Sequence, residues 1–221
     1  MLTSIAASCF SWQQNIQQQK FAARVELSQL IERMNTLQHD GSENINNDKG
    51  ELIGVANAGE VIPEILALAR QAADIADQLE GGGTASEHYS IASAFKFCGE
   101  YEQATRFAQR GLTKTSELTV QTGLLHIKAH SEFRLGDYAA GRSTMLLAIR
   151  ARDTQPPAAR AYGLVHSYTY WAEQERRSGN CDGWKDVMAK ARTQLEQLPA
   201  GSATRQQGSK WIKAVGGTCP V

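Results

Sequence analysis

RLGDY, residues 134–138, is the stretch that decides the fold prediction for this chain. A glycine followed by an acidic and an aromatic residue, between two apolar helical patterns, is typical of a tight turn joining antiparallel helices. The arrangement recurs as GEY at 99–101 and, in a weaker form, as GNC at 179–181. The turn glycines are 37 and 43 residues apart, close to the period of a helix-turn-helix repeat. The sequence therefore predicts stacked helix pairs.

The composition also favours an all-α protein. Of the 221 residues, 42% are hydrophobic, which is enough for a buried core, but only 7% are aromatic. Ala, Leu, Gln and Glu are plentiful, and long Val/Ile/Thr alternations are missing. Apolar periodicity and helix stop signals predict helices over residues 12–37, 63–80, 84–97, 100–113, 117–134, 138–152, 157–178, 182–198 and 203–214.

Three segments are predicted along the chain. Residues 1–38 form an apolar stub and a long amphipathic helix, residues 39–60 an Asn/Gly-rich loop, and residues 61–221 a helical repeat domain. Pro63 is expected at the first position of its helix. The apolar seam of the first helix is formed by Ile16, Ala23, Leu27, Leu30, Met34 and Leu37. Lys20 interrupts this seam, so packing against the chain's own core is favoured over a homomeric coiled coil. A homo-oligomer formed through this helix remains an alternative.

The charge pattern gives no indication of a nucleic-acid partner, but it is uneven along the chain, and the acidic N-terminal third is one candidate partner for the basic C-terminal part. The formal net charge is zero, which gives no electrostatic reason to expect binding to nucleic acid or to an anionic membrane. Residues 1–80 nevertheless hold 5 basic and 11 acidic residues, and residues 81–221 hold 18 basic and 12 acidic ones. The C-terminal part is expected to present a basic surface to acidic groups, with ordinary surface variation as the alternative.

The four cysteines predict neither a metal site nor a cofactor. Cys9, Cys98, Cys181 and Cys219 show no CxxC pattern and no zinc spacing with histidine. Cys181 and Cys219 both lie in loop-like sequence. They would form a disulfide in a periplasmic or secreted protein and stay free thiols in a reducing cytoplasm.

The first ten residues, MLTSIAASCF, are apolar but too few to span a bilayer, and they lack the features of a signal peptide. The stub before Lys20 and Arg24 is similar to the end of a membrane anchor whose beginning is absent. Basic residues at that position favour a cytoplasmic face for the rest of the chain. The expected location is the cytoplasm or the cytoplasmic face of a membrane.

The helix pairs resemble degenerate tetratricopeptide repeats over residues 84–198. In that family a turn glycine, a tyrosine two residues later and small residues on the second helix let the helices approach closely. The matching residues are Ala92, Gly99, Tyr101, Ala104 and Leu112 in the first copy, Ala129, Leu135, Gly136, Tyr138, Ala148 and Ile149 in the second, and Ala172 and Gly179 in the third. A β-branched residue at Gly136 is expected to strain both backbone and packing. The alternative is a non-repeating helical bundle with glycines at its turns.

The resemblance implies a concave groove, lined by the first helix of each pair, that holds a peptide or a partner helix. The implied groove positions are Tyr89, Ser93, Lys96 and Phe97, then His126, His130, Phe133 and Arg134, and finally His166, Thr169, Glu173, Arg176 and Arg177. Cations outnumber anions among them, so such a surface could hold a carboxylate or an acidic peptide. A solvated helix face is the alternative.

No catalytic signature accompanies these helices. His126 and His130 have metal-competent spacing, but Ile127 stands where the zinc-protease pattern requires glutamate. The glycine run at 81–83 lacks the lysine of a phosphate loop, and no serine lies in a nucleophile elbow. We therefore expect a non-enzymatic protein- or peptide-binding adaptor. The alternative is a structural or oligomerisation scaffold, in which the long helix self-associates or extends a membrane anchor.

Overall fold

The computed structural model describes residues 2–41, 44–46, 52–55, 58–217 and 219, with side chains for 14–39, 59–217 and 219. Within these residues the predicted all-α class is confirmed, with one short hairpin as the exception. The elements are α1 (Leu2–Gly41), β1 (Asn44–Asn46), β2 (Leu52–Val55), α2 (Ala58–Gln78), α3 (Ala85–Phe97), α4 (Tyr101–Leu112), α5 (Leu118–Arg134), α6 (Tyr138–Arg150), a 3-10 helix (Ala151–Thr154), α7 (Pro157–Arg177), α8 (Cys181–Glu196) and α9 (Ala203–Val215).

The segment 39–60 differs from its predicted loop. Helix α1 continues to Gly41, β1 pairs antiparallel with β2, and α2 begins at Ala58. Residues 42–43, 47–51 and 56–57 of the predicted loop lie outside the described residues. The composition, rich in Asn, Asp and Gly, did not indicate the two short strands. Pro63 therefore lies in the second turn of α2 instead of at its first position. A proline there costs one backbone hydrogen bond, because its nitrogen carries no hydrogen.

The chain divides into two compact units, residues 1–100 and residues 101–221. In the first unit α1 packs against α2 and α3, and its seam residues Leu27, Met34 and Leu37 are buried. Lys20, which interrupts the seam, forms an ion pair with Glu80, two residues after the end of α2. The seam of α1 is thus used for packing inside this unit, as the interrupted pattern predicted.

The start of α3 is fixed by a capping box. Thr84 Oγ1 accepts a hydrogen bond from the backbone N–H of Glu87 at 3.2 Å, and the Glu87 carboxylate accepts one from the N–H of Thr84. Arg24 on α1 reaches the same carboxylate at 2.9 and 3.1 Å. Burial opposes ionisation of Glu87, but these hydrogen bonds outweigh it and keep the pKa of Glu87 below its usual value. One carboxylate therefore caps α3 and ties it to α1.

The second unit is built from α4 to α9. Helix α4 packs against α5, α5 against α6, α7 against α8, and α9 against both α7 and α8. One buried cluster consists of Ala129, Phe133, Met145, Trp171, Ala172, Val187 and Met188. A second, formed by Ala161, Val165 and Leu198, lies beneath Trp211 and Ile212 of α9. The second unit thus holds its helices around two adjoining apolar clusters.

The three turn glycines have the same backbone geometry. Their φ angles are +83° at Gly99, +84° at Gly136 and +75° at Gly179. In each turn the residue after the glycine donates its N–H to the carbonyl five residues earlier, at 2.9 Å. This is the Schellman motif, which requires a left-handed residue that glycine supplies at no steric cost. The weak third copy therefore shares the turn of the other two.

Replacing Gly136 with alanine is expected to lower the free energy of unfolding by about 1–2 kcal/mol, because its positive φ is strained for any residue with a β-carbon. No atom lies within 4 Å of that β-carbon, so for alanine only the backbone contributes. Packing strain from the branches of a β-branched residue stays a prediction. Urea denaturation measures the effect. Gly59→Ala is the matched control, since Gly59 has equally open space inside a helix. An unchanged midpoint for Gly136→Ala would contradict the turn assignment.

Small residues that match the repeat pattern are buried on both helices of a pair. The side chains of Ala104, Ala129 and Ala148 are fully buried. At Gly141, a β-carbon would lie 2.5 Å from Cδ2 of Phe133, so the ring of Phe133 rests directly on the backbone of α6. Glycine at this position lets α5 and α6 pack closely.

Candidate functional site

A continuous row of seven rings runs across α4, α5, α7 and α9 in the second unit. We call it the aromatic row; it consists of Tyr101, His130, Tyr170, His126, His166, Trp211 and Tyr162. Successive ring centroids in that order are 5.8, 6.2, 5.0, 5.3, 4.8 and 5.2 Å apart. These separations lie in the range at which aromatic rings contact one another. All of the rings except that of His126 are partly accessible to solvent.

Helical spacing explains most of the row. His126 and His130 are four residues apart on α5, and Tyr162, His166 and Tyr170 follow the same spacing on α7. Residues four apart lie on one helix face, so each helix contributes a line of rings. The groove positions implied by the glycine alignment included the three histidines but missed Tyr162, Tyr170 and Trp211, and Tyr101 was expected only as a structural residue of the repeat. The four-residue spacing on α7 was a signal that could have found the two tyrosines.

A cavity of about 200 Å³ lies between α7 and α9 at the Trp211 end of the row. It is lined by His166, Thr169, Tyr170, Glu173, Trp211, Ala214 and Val215. Most of this wall is aromatic or aliphatic, and Glu173 contributes a charged group. A cavity of this size can hold one apolar side chain of a ligand.

His166 contributes a neutral ring to the row rather than a charge. Burial lowers the pKa of His166, and the nearby cation of Arg152 lowers it further. His166 is therefore neutral at neutral pH. His126 is 7% exposed, and its Nε2 lies 3.0 Å from Oγ of Ser167, which also accepts a hydrogen bond from Arg152.

The arginines implied as groove cations already have partners. Arg176 and Arg177 both bind Glu173, at 2.9 and 2.6 Å, so one carboxylate serves two guanidinium groups. Burial opposes ionisation of Glu173, yet hydrogen bonds from both arginines lower its pKa. Arg134 donates from Nε to the Tyr101 hydroxyl at 3.1 Å and stacks on its ring at 5.4 Å. Two of the three guanidinium groups thus share one carboxylate, and the partner of the third is a neutral hydroxyl.

The other implied groove positions fall in different surroundings. Phe133 is 5% exposed and belongs to the buried cluster of the second unit. Tyr89, Ser93, Lys96 and Phe97 lie on α3 in the first unit. Tyr89 is exposed, Ser93 donates to Oε1 of Gln38 at 3.2 Å, and burial lowers the pKa of Lys96. These four residues are not part of the aromatic row.

Cys181 and Cys219 were expected either to form a disulfide or to stay free thiols. Cys181 and Cys219 form a disulfide, which ties the start of α8 to the segment after α9. Cys98 is a free thiol, and burial together with the charge of Glu100 raises its pKa to about 11. Among the described residues, no three His, Cys, Asp or Glu side chains are placed to hold a metal ion. Over the same part of the chain, no helix is both long and apolar enough to span a bilayer.

No protein-family model, curated protein or solved structure significantly matches this chain. The resemblance to tetratricopeptide repeats therefore rests on the residues quoted above and stays a prediction. The shared geometry of the three glycine turns agrees with it.

Proposed function

We propose that the second unit is a non-enzymatic peptide-binding module whose ligand lies along the aromatic row. The observation that carries this proposal is the row itself, seven contacting rings on four helices with a cavity at the Trp211 end. Aromatic rings offer a large contact area at low entropic cost and recur where proteins bind peptides.

The cavity defines the expected anchor of the ligand. Its largely apolar wall fits one aliphatic or aromatic side chain. Arg134 lies on Tyr101 at the other end of the row, and it uses Nε in its hydrogen bond to the Tyr101 hydroxyl. An acidic residue of the ligand would find its partner there, because a guanidinium group binds carboxylates through paired N–H donors. The proposed ligand is thus a peptide with an apolar anchor and an acidic residue.

Filling the cavity tests this proposal. Peptides selected on the wild-type protein from a random displayed library are expected to be enriched in one apolar and one acidic position. The variant Ala214→Trp, which places a large ring in the cavity mouth, is expected to bind them at least about tenfold more weakly. Isothermal titration calorimetry measures the change. Arg134→Ala is expected to reduce the salt dependence of binding, since it removes a charged contact.

Ala189→Trp on α8 is the matched control, because Ala189 is exposed and does not line the cavity. Both variants must keep the helical circular dichroism and the melting temperature of the wild type. Equal affinity of Ala214→Trp and Ala189→Trp for the selected peptides would contradict the proposal. Failure to enrich any peptide would also contradict it.

A scaffold that self-associates through α1 is the second candidate. Phe21 and Val25 lie one turn apart on α1 and are 72% and 40% exposed, so together they form an exposed apolar pair on this helix that a second copy could cover. Sedimentation of the wild type beside Phe21→Ser distinguishes the two candidates. A monomeric mass at every concentration would contradict the scaffold.

The disulfide favours an oxidising compartment for the working protein. Bonds of this kind persist in the periplasm or outside the cell and are rare in the cytoplasm. We therefore propose a periplasmic or secreted environment for this module. The basic residues after the apolar stub had favoured the cytoplasm instead.

A further inference from the structure

Helix α9 supplies one wall of the cavity between α7 and α9. Trp211, Ala214 and Val215 line that cavity from α9, and His166 and Tyr170 line it from α7. The three α9 residues all lie in the second half of the helix, which ends at Val215. The shape of the cavity therefore depends on how the end of α9 is held against α7.

The first half of α9 is held by local contacts. Ser202 Oγ accepts a hydrogen bond from the N–H of Arg205 at 3.2 Å, and Arg205 donates from Nη1 to the carbonyl of Leu198 at 3.0 Å. A β-carbon at Gly208 would lie 2.8 Å from Cδ1 of Leu195, so the backbone of α9 packs closely at this point. These contacts fix α9 as far as its middle.

The second half of α9 has less buried surface. Trp211, Ile212 and Val215 pack against the two apolar clusters of the second unit, but all three side chains stay partly exposed. Gly208 is the one buried residue of α9, every residue of which the structure describes. A terminal helix with little buried surface opens locally at a small cost in free energy.

The disulfide restrains the segment that follows this helix. Cys219 lies four residues after Val215, and its bond to Cys181 ties it to the first residue of α8. Helix α8 is itself fixed, because Val187 and Met188 belong to the buried cluster. Both cysteines are partly accessible to solvent, so a reductant can reach them. The disulfide thus attaches the end of α9 to a helix whose own position is secured by packing.

We propose that this disulfide is a redox switch for the cavity. In the oxidised form it holds the α9 wall in place, and the cavity binds the apolar anchor of the ligand. Reduction frees the end of α9, opens the wall and releases the ligand. The inference rests on the proposed function, because it adds regulation to the same peptide site.

The switching step is thiol–disulfide exchange with a dithiol, such as a protein with a CxxC pair or dithiothreitol. A thiolate of the dithiol attacks Sγ of Cys219, and the bond between the two sulfurs breaks. Cys181 leaves as a thiolate and takes up a proton from water. The second thiol of the dithiol then loses its proton, attacks the mixed disulfide and releases Cys219, which is protonated in turn. Two electrons pass to the two cysteines, and the dithiol ends as a disulfide.

The position of Cys181 favours this direction of attack. Cys181 is the first residue of α8, where the partial positive charge of the helix N-terminus stabilises a thiolate. The carboxylate of Asp182 is next to it in the chain, but it pairs with Lys185 at 3.5 Å. The better leaving group departs faster, so Cys181 is the expected leaving thiolate and Cys219 carries the sulfur that is attacked.

Titration of both redox forms with indole tests the switch. The isotope-labelled full chain is compared with its disulfide intact and after reduction by dithiothreitol, and indole serves as the probe for the apolar anchor. Saturable amide shifts are expected at residues 166–170 and 211–215 of the oxidised form. The reduced form is expected to bind indole at least about tenfold more weakly, because the α9 wall is no longer restrained.

Hydrogen exchange measures the opening of the wall without any ligand. Amides of residues 211–215 are expected to exchange at least about tenfold faster after reduction, because the end of α9 opens more often. Amides of residues 118–134 in α5 are the internal control and are expected to keep their rates. Acceleration of both segments alike would indicate global unfolding and would overturn the switch.

The remaining outcomes separate the switch from the proposed function. Equal indole affinity in the two redox forms would overturn the switch and leave the proposed function intact. Unchanged exchange at residues 211–215 after reduction would also overturn the switch alone. Absence of saturable shifts in the oxidised form would contradict the apolar anchor of the proposed function, and the switch would be overturned with it.

A variant checks the switch without a reductant. Cys219→Ser is expected to bind indole as weakly as the reduced wild type and to be unaffected by dithiothreitol. Cys98→Ser is the matched control, because Cys98 is a free thiol, and it is expected to keep the wild-type difference between the two forms. A Cys219→Ser variant that binds indole as tightly as the oxidised wild type would overturn the switch.

Discussion

Replacing Glu175 with alanine is expected to lower the free energy of unfolding by about 3–5 kcal/mol. The carboxylate is 1% exposed and accepts hydrogen bonds from Nε and Nη2 of Arg142, both at 2.8 Å. It also accepts from the Trp171 indole and the Asn180 amide, both at 2.7 Å. These donors come from α6, from α7 and from the N-cap residue of α8. The variant leaves a buried indole N–H and a guanidinium group without an acceptor, which is the reason for the large expected loss.

The partial exposure of Arg142 places the expected loss toward the lower end of that range. Its side chain is 39% accessible, so water can solvate the guanidinium group once the carboxylate is gone. Urea denaturation at neutral pH measures the difference from the wild type. Glu102→Ala is the control, because Glu102 is exposed on α4, and its effect is expected to stay within about 0.5 kcal/mol. Equal midpoints for the Glu175 and Glu102 variants would show that the buried network contributes nothing.

The same carboxylate gives stability a pH dependence of known sign. Burial opposes ionisation of Glu175, but hydrogen bonds from Arg142, Trp171 and Asn180 lower its pKa below the usual value. The stabilisation is therefore complete above the unfolded pKa of about 4.3 and is lost as the pH falls through the lower folded pKa. The gap between wild type and Glu175→Ala is expected to narrow in acid. A gap that stays constant from pH 7 to strongly acidic pH would contradict this assignment.

Replacing Cys219 with serine is expected to lower the free energy of unfolding by up to about 4 kcal/mol, the chain-entropy value for a loop of this length. The disulfide joins positions 38 residues apart and encloses α8 and α9. Its loss gives that stretch more freedom in the unfolded chain. Because Trp211 of α9 contacts His166 and Tyr162, a loosened α9 is also expected to change the near-ultraviolet circular dichroism.

A reductant separates this effect from any other consequence of the substitution. Wild type is expected to lose the same stability in dithiothreitol that Cys219→Ser loses without it, and the variant is expected to be insensitive to reductant. Cys98→Ser is the matched control, since Cys98 is a free thiol, and this variant should remain sensitive to reductant. Wild type that is unaffected by reductant under unfolding conditions would contradict a stabilising disulfide.

Local signals predicted the helices well. Thr84 with Glu87 marks the start of α3, and the glycines at 99, 136 and 179 mark where α3, α5 and α7 stop. Each signal acts within a few residues, because a cap or a left-handed turn is satisfied by its own neighbours. The hairpin in 39–60 was missed because strands of three and four residues are too short for a periodic pattern.

The candidate site was less predictable, for reasons that differ between residues. Arg176 and Arg177 follow Glu173 at helical spacings of three and four, so their ion pairs could have been predicted from the sequence. The burial of Phe133 could not be predicted, because it depends on contact with Gly141 of a different helix. Periodicity identifies the residues that share a helix face but not the element that covers that face.

The amino-acid sequence was sufficient to determine the all-α class, the turns at the three glycines and the four-residue spacing that aligns rings on α5 and α7. Those features depend on backbone conformation and on contacts between near neighbours. Long-range packing alone brings Trp211 onto His166, leaves Oε1 of Gln174 without a donor and brings the guanidinium group of Arg142 onto Glu175. Each of these depends on where distant helices come to lie, and that position follows from the burial of shared apolar surface rather than from any local pattern.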